Sequence, residues 1–98
     1  MGYVGRVGAS LVRCRVVIHG EVQGVWFRET TRAEAVAAGL AGWVRNRPDG
    51  TVEAVFEGSA AAVDRLVDFC NAGPSGATVE RVDVAQEEPK DLTGFEVQ

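Results

Sequence analysis

Residues 11–39 read LVRCRVVIHGEVQGVWFRETTRAEAVAAG: a strand pattern, a glycine-punctuated loop and a helix pattern, in that order. From Leu11 to His19 the apolar residues alternate, with Val12, Cys14, Val16 and Ile18 on one face and Arg13, Arg15 and His19 on the other. A strand with one covered face and one wetter face is expected, as in antiparallel sheets. His19 is the sole histidine, and its outward phase beside two arginines reads as a solvated strand-end residue rather than a catalytic one. Phe27 to Ala38 reads as a helix ended by Gly39, in the position a C-terminal glycine takes. Its stripe of Phe27, Thr31, Ala35 and Ala38 is mostly small, so the helix backbone can lie close to a sheet.

Between strand and helix lies Gly20-Glu21-Val22-Gln23-Gly24-Val25-Trp26-Phe27-Arg28. Two glycines in five positions permit a tight bend with positive φ, and such a loop can aim successive N–H groups at one anion. The following helix adds its unpaired N–H groups and the positive end of its dipole. No Ser, Thr, Asp or Asn is present in the loop to cap that helix, and Arg28 places a cation in its first turn, where a cation is disfavoured. An external anion resolves both anomalies by capping the N–H groups and pairing with the guanidinium. On these rules alone, a plain loop with a solvated arginine remains the alternative.

Leu40 to Arg47 reads as a second strand, with Val44 and Asn46 on one face and Trp43 and Arg45 opposite. Pro48-Asp49-Gly50 supplies a turn, and Thr51 to Glu57 a third strand with Val52, Ala54 and Phe56 in phase. Ser59 can cap a second helix whose inward stripe is Val63, Leu66, Val67 and Cys70, ended by Gly73-Pro74. Cys14 and Cys70 both read as small buried core residues. Thr78 to Gln86 is a fourth strand, followed by a charged loop opening at Glu87 and a short strand at Gly94 to Val97.

The order β-α-β-β-α-β predicts an α+β, ferredoxin-like sandwich: an antiparallel sheet of four strands plus a short C-terminal strand, with two helices on one face. Residues 1–10 read as a flexible tail and 11–98 as a single domain. A strand–helix–strand crossover sends both its strands the same way, so the glycine loop and Asn46 are expected at one edge of the sheet. The alternative for Asn46 is that it merely opens the hairpin turn.

Ninety-eight residues suffice for one core, and 46% hydrophobic with 24% charged residues is an ordinary globular composition. The formal charge of −4 disfavours non-specific nucleic-acid binding; Arg28, Arg45 and Arg47 offer a local positive spot instead. An RNA-recognition surface also needs aromatic platforms, and the outer face of the first strand has none. Two cysteines make neither a disulfide framework nor a zinc site. With no signal-like segment and no apolar run of bilayer length, a cytoplasmic protein with reduced thiols is expected, without membrane or nucleic-acid partners. No GKS/GKT phosphate loop, metal-ligand spacing or Ser–His–Asp set is evident.

The glycine loop, GEVQGVWFR, resembles the signature loop of the acylphosphatases, with Gly20, Val22, Gln23, Gly24, Val25, Phe27 and Arg28 at the family's positions. A second family signature is matched by Gly42-Trp43-Val44-Arg45-Asn46, then Gly50, Thr51-Val52 and Gly58. Trp26 falls where the family is variable. The resemblance implies metal-independent, cofactor-free hydrolysis of the carboxyl–phosphate bond of a small acyl phosphate by a monomer, with inorganic phosphate as product and inhibitor. It implies Arg28 as the phosphate-binding arginine and Asn46 as the residue orienting the attacking water. The backbone N–H groups of Glu21, Val22, Gln23, Gly24, Val25, Trp26 and Phe27 are implied to hold the phosphoryl oxygens. A non-catalytic module that binds an anion with the same cradle is the rival from another class.

Overall fold

The computed structural model describes residues 11–98; the segment 1–10, read above as a tail, lies outside the described residues. The elements are β1 (Val12–Glu21), α1 (Phe27–Ala37), β2 (Ala41–Asn46), β3 (Val52–Gly58), α2 (Ala60–Ala72), β4 (Thr78–Glu87) and β5 (Phe95–Val97). They build one sheet in the order β4-β1-β3-β2-β5. Strand β3 is antiparallel to both β1 and β2, which therefore run the same way. The expected ferredoxin-like α+β sandwich is the observed one. The short last strand adds to the free edge of β2 and runs parallel to it, with Gly42 opposite Phe95 and Val44 opposite Val97.

The register explains the core. On one face, Val16, Ala54 and Val44 form one row across the three central strands, and Ile18, Val52 and Asn46 form the next. The apolar members of both rows are fully buried, joined by Phe27 and Ala35 of α1 and by Val63, Leu66 and Cys70 of α2. Helix α1 buries Phe27, Thr31 and Ala35, the first three members of the expected stripe. Ser59 caps α2 as its sequence position suggests, accepting a hydrogen bond of 3.2 Å from the N–H of Ala62. Asp49 holds the β2–β3 turn by accepting from both the N–H (3.0 Å) and the hydroxyl (2.6 Å) of Thr51. Of the two cysteines, Cys70 is fully buried, while Cys14, at the rim of the core, is only half-buried.

Two features depart from the alternation pattern. Strand β1 continues to Glu21 instead of ending at His19, because a bulge between His19 and Gly20 lets Gly20 and Glu21 keep pairing with Val79 and Thr78 of β4. Gly20 has φ 135°, and a Cβ there would collide with the carbonyl oxygen of Thr78, so only glycine fits the bulge.

The second departure is on the outer face, read from the sequence as the wetter one. Arg13 is only 3% exposed. Its Nε donates to Glu87 Oε1 at 2.9 Å and its Nη1 lies 3.5 Å from Glu57 Oε1. Arg15 bridges Glu87 (2.7 Å) and Glu53 (2.6 Å), and Arg45 donates to Glu53 at 2.8 Å. Glu57 also accepts the N–H groups of Lys90 (2.9 Å) and Asp91 (2.7 Å), which draws the loop before β5 against the sheet. The charged face is thus a closed network of opposite charges, with Trp43 between the guanidiniums of Arg15 and Arg45 at 5.4 and 5.7 Å. His19, on the same face, meets Asp83 Oδ2 at 2.9 Å, away from the glycine loop's cavity.

Candidate active site

The glycine loop proper is Val22–Trp26, between the end of β1 and the start of α1. Gly24 takes φ 75°, with nothing within 4 Å of where a Cβ would stand, so glycine is needed there for its conformation rather than for space. Trp26 occupies the N-cap position of α1 with φ 62° and ψ 21°, and no side chain caps the helix. The missing cap noted in the sequence is therefore a structural fact, and the first N–H groups of α1 have no side-chain partner. Glu29 adds an acidic residue to the first turn.

Asn46 is the last residue of β2, and the register fixes where it stands. Val52 of β3 pairs with Ile18 on one side and Asn46 on the other, so Asn46 is level with Ile18, just before the bulge that leads into the glycine loop. The two backbones are two inter-strand spacings apart, roughly 10 Å. A further tie joins loop and hairpin: Gln23 Nε2 donates to the carbonyls of Arg47 (2.7 Å) and Thr51 (2.9 Å). The side chain of Gln23 thus straps the loop to the turn that begins one residue after Asn46. That role is not visible in the sequence, where Gln23 counts only as a source of backbone N–H.

Between these parts lies a cavity of about 240 Å³, lined by Val22, Gly24, Trp26, Phe27, Arg28, Glu29 and Asn46. It is below the roughly 300–1,000 Å³ of sites for drug-sized ligands, so it suits a small one. Six of the nine residues expected to form the site line it: Val22, Gly24, Trp26, Phe27 and Arg28 from the loop and the helix start, and Asn46 from β2. Glu21 is a strand residue opposite Thr78, and Gln23 and Val25 do not line the cavity. Glu29 does line it, and the sequence reading does not single it out.

The positive charge at the cavity comes from Arg28. Arg45 and Arg47, read above as contributors to a positive spot, do not line it. Arg45 is spent on Glu53, and Arg47 lies 3.7 Å from Asp49. Arg28 pairs with no Asp or Glu among the described residues; its Nη1 donates to the main-chain oxygen of Gln98 at 2.9 Å. The N–H of Gln98 in turn donates to the carbonyl of Val44 at 2.8 Å, so the chain after β5 steadies the guanidinium from the sheet side. A guanidinium has five N–H donors, and this contact uses one, leaving a charged fork for a ligand. Among the described residues, no group of three His, Cys, Asp or Glu is placed to hold a metal ion. No helix of the described residues is long and apolar enough to cross a membrane.

Comparisons with known proteins agree with this geometry. The family model described as Acylphosphatase matches residues 14–97. An acylphosphatase of Gloeobacter violaceus is 58% identical over 89 residues, covering 91% of this chain and 96% of that protein. The solved structure of an acylphosphatase from Coxiella burnetii superposes with a TM-score of 0.86 at 34% identity, covering 90% of this chain and 93% of the other. The crystal structure of acylphosphatase from Bacillus subtilis gives the same TM-score, 0.86, at 33% identity, over 89% of this chain and 98% of that one. The match spans both the loop that ends in Arg28 and the strand that ends in Asn46, and on that ground this chain belongs to the acylphosphatase family.

Proposed function

We propose that this chain hydrolyses the carboxyl–phosphate bond of small acyl phosphates to carboxylate and inorganic phosphate, with Arg28 gripping the phosphoryl group and Asn46 orienting the attacking water. The observation that carries the reading is convergence. Arg28 and the uncapped start of α1 face the same small cavity as Asn46, which comes from a different element, β2. Phosphoryl transfer passes through a loose transition state, so positioning and charge stabilisation do most of the work. Arg28 supplies two parallel charged hydrogen bonds. The backbone N–H groups of the loop and the helix start add dipoles that stabilise the equatorial oxygens.

The leaving carboxylate is the anion of an acid with a pKa of about 4 and needs no general acid. Asn46, an uncharged amide, holds the water by hydrogen bonds, and the substrate's own phosphoryl oxygen accepts the proton that the water loses. Glu29 beside Arg28 keeps the rim from being uniformly positive, which favours release of the phosphate product. The reaction proceeds on a monomer and without a metal or cofactor in this reading. Purified protein incubated with acetyl phosphate or benzoyl phosphate in EDTA is the test: substrate loss well above the spontaneous rate supports it. A protein that binds phosphate but leaves both compounds intact is the anion-binding module instead, and activity that EDTA removes and magnesium restores overturns metal independence.

A further inference from the structure

The cavity has one lining side chain that the phosphate reaction leaves unused. Trp26 is 76% exposed, more than any other large apolar residue among those described. It is also one of only two non-glycine residues with positive φ among the described residues, at φ 62°. That conformation is unfavourable for a bulky side chain. A glycine or asparagine at the same position relieves both the backbone strain and the exposure. An indole that is strained, exposed and on the rim of a ligand cavity breaks two local rules at once, and such breaks concentrate at functional sites.

We infer that Trp26 is the acyl-group platform of this site, and that the substrates it favours are acyl phosphates with an aromatic or other large flat apolar acyl group. The inference rests on the acyl phosphate reading given above. The other lining residues leave no alternative surface for such a group. Val22 and Phe27 are 1% and 2% exposed, Gly24 has no side chain, and Arg28, Glu29 and Asn46 are polar. The phosphoryl oxygens take the polar groups of this cavity, so the acyl group points away from them, toward the apolar lining that is open to solvent. The acyl group therefore emerges at the rim, where the indole stands. An aromatic ring laid against indole gains apolar contact and stacking, worth roughly three- to tenfold in binding.

The experiment measures kcat/KM for benzoyl phosphate and acetyl phosphate with wild-type protein, Trp26→Phe and Trp26→Asn. Asparagine tolerates left-handed backbone but has no aromatic face, so the fold is kept while the platform is removed. Taking the ratio of the two substrates cancels any general change in the phosphate site. The benzoyl-to-acetyl ratio is expected to fall by roughly three- to tenfold in Trp26→Asn and to stay near wild type in Trp26→Phe. Wild-type protein provides a measurement independent of any variant's folding. Phenacylphosphonate, a non-hydrolysable analogue with an aromatic ring, should inhibit several-fold more tightly than acetonylphosphonate and should change the indole fluorescence on binding. A ratio unchanged in Trp26→Asn, or equal inhibition by the two phosphonates, overturns the platform while leaving the hydrolase intact. Wild-type protein that turns over neither acyl phosphate overturns the proposed function, and the platform with it.

Discussion

The outer face of the sheet and the cavity at its edge are both built around arginine, and they treat it in opposite ways. On the outer face, Arg13, Arg15 and Arg45 each meet a carboxylate, and Glu53, Glu57 and Glu87 each accept from more than one donor or touch more than one cation. At the cavity, Arg28 meets, among the described residues, only a main-chain oxygen, next to helix N–H groups that no described side chain caps. In the first arrangement each of these cations is neutralised by a carboxylate, so it has little charge left to offer a ligand. The second is incomplete, and that is what suits it to an anion. Electrostatic completeness, rather than residue type, separates the arginines of the outer face from Arg28 at the site.

The contrast breaks most visibly at Arg28. Arg28→Ala is expected to reduce turnover by about 10³-fold or more and to raise the inhibition constant of inorganic phosphate, because the lost fork acts in both ground and transition states. Lysine at the same position should restore little, since a point charge does not reproduce two parallel hydrogen bonds. The melting temperature should move by only a few degrees, given the single hydrogen bond lost. An active Arg28→Ala protein, or one that unfolds while its phosphate inhibition is intact, places Arg28 with the structural arginines.

The mirror-image variant is Arg13→Leu. It leaves Glu57, whose side chain is only 2% exposed, without its cation, and breaking such a pair costs about 3 kcal/mol. Urea titration should show that loss, while kcat/KM of the folded protein stays at the wild-type value. Slowed catalysis in a fully folded Arg13→Leu protein would mean that the two regions are coupled.

Asn46 sharpens the comparison within the site. Asn46→Ala should slow turnover by about 10²-fold, the loss seen when one preorganised hydrogen-bonding group is removed, while competitive inhibition by phosphate stays close to wild type. Lost phosphate affinity with an unchanged rate would make Asn46 an anion ligand and not the water holder.

The smallest expected effect is in the acid limb of stability. Hydrogen bonds from Arg15 and then Arg13 bring the Glu87 carboxyl down from an ordinary 4.5 to about 2. A carboxylate whose pKa is depressed in the folded state stabilises above its unfolded value and loses that contribution as pH falls through the folded one. The window is therefore about pH 4.5 down to 2. Glu87→Gln should be less stable than wild type at pH 7, and the gap in urea midpoint should close steadily across that window. A gap that stays constant down to pH 2 would show that Glu87 contributes by packing and not by charge.

Much of this architecture is legible along the chain because it depends on neighbours in sequence. Alternation at Val12, Cys14, Val16 and Ile18 gives a strand, Gly24 permits a left-handed bend, and a loop without Ser, Thr, Asp or Asn leaves a helix uncapped; each of these is a local property of a few consecutive residues. Even the meeting of the loop with Asn46 follows from local patterns, once the crossover rule makes the first two strands parallel.

Partner choice was settled at a longer range. Periodicity assigns Arg13 to the outer face but not its burial, which depends on Glu87, 74 residues away, and on a loop folded over by Glu57. The same limit applies to Arg45, neutralised by Glu53 across a strand pair, and to Gln23, whose amide reaches the hairpin 24 and 28 residues on. That Arg45 and Arg47 would not share the cavity with Arg28, and that Trp26 would stand exposed at its rim, are likewise outcomes of the folded chain. A side chain's phase is written in its own neighbourhood; its desolvation and its charge partners depend on what the rest of the chain brings against it.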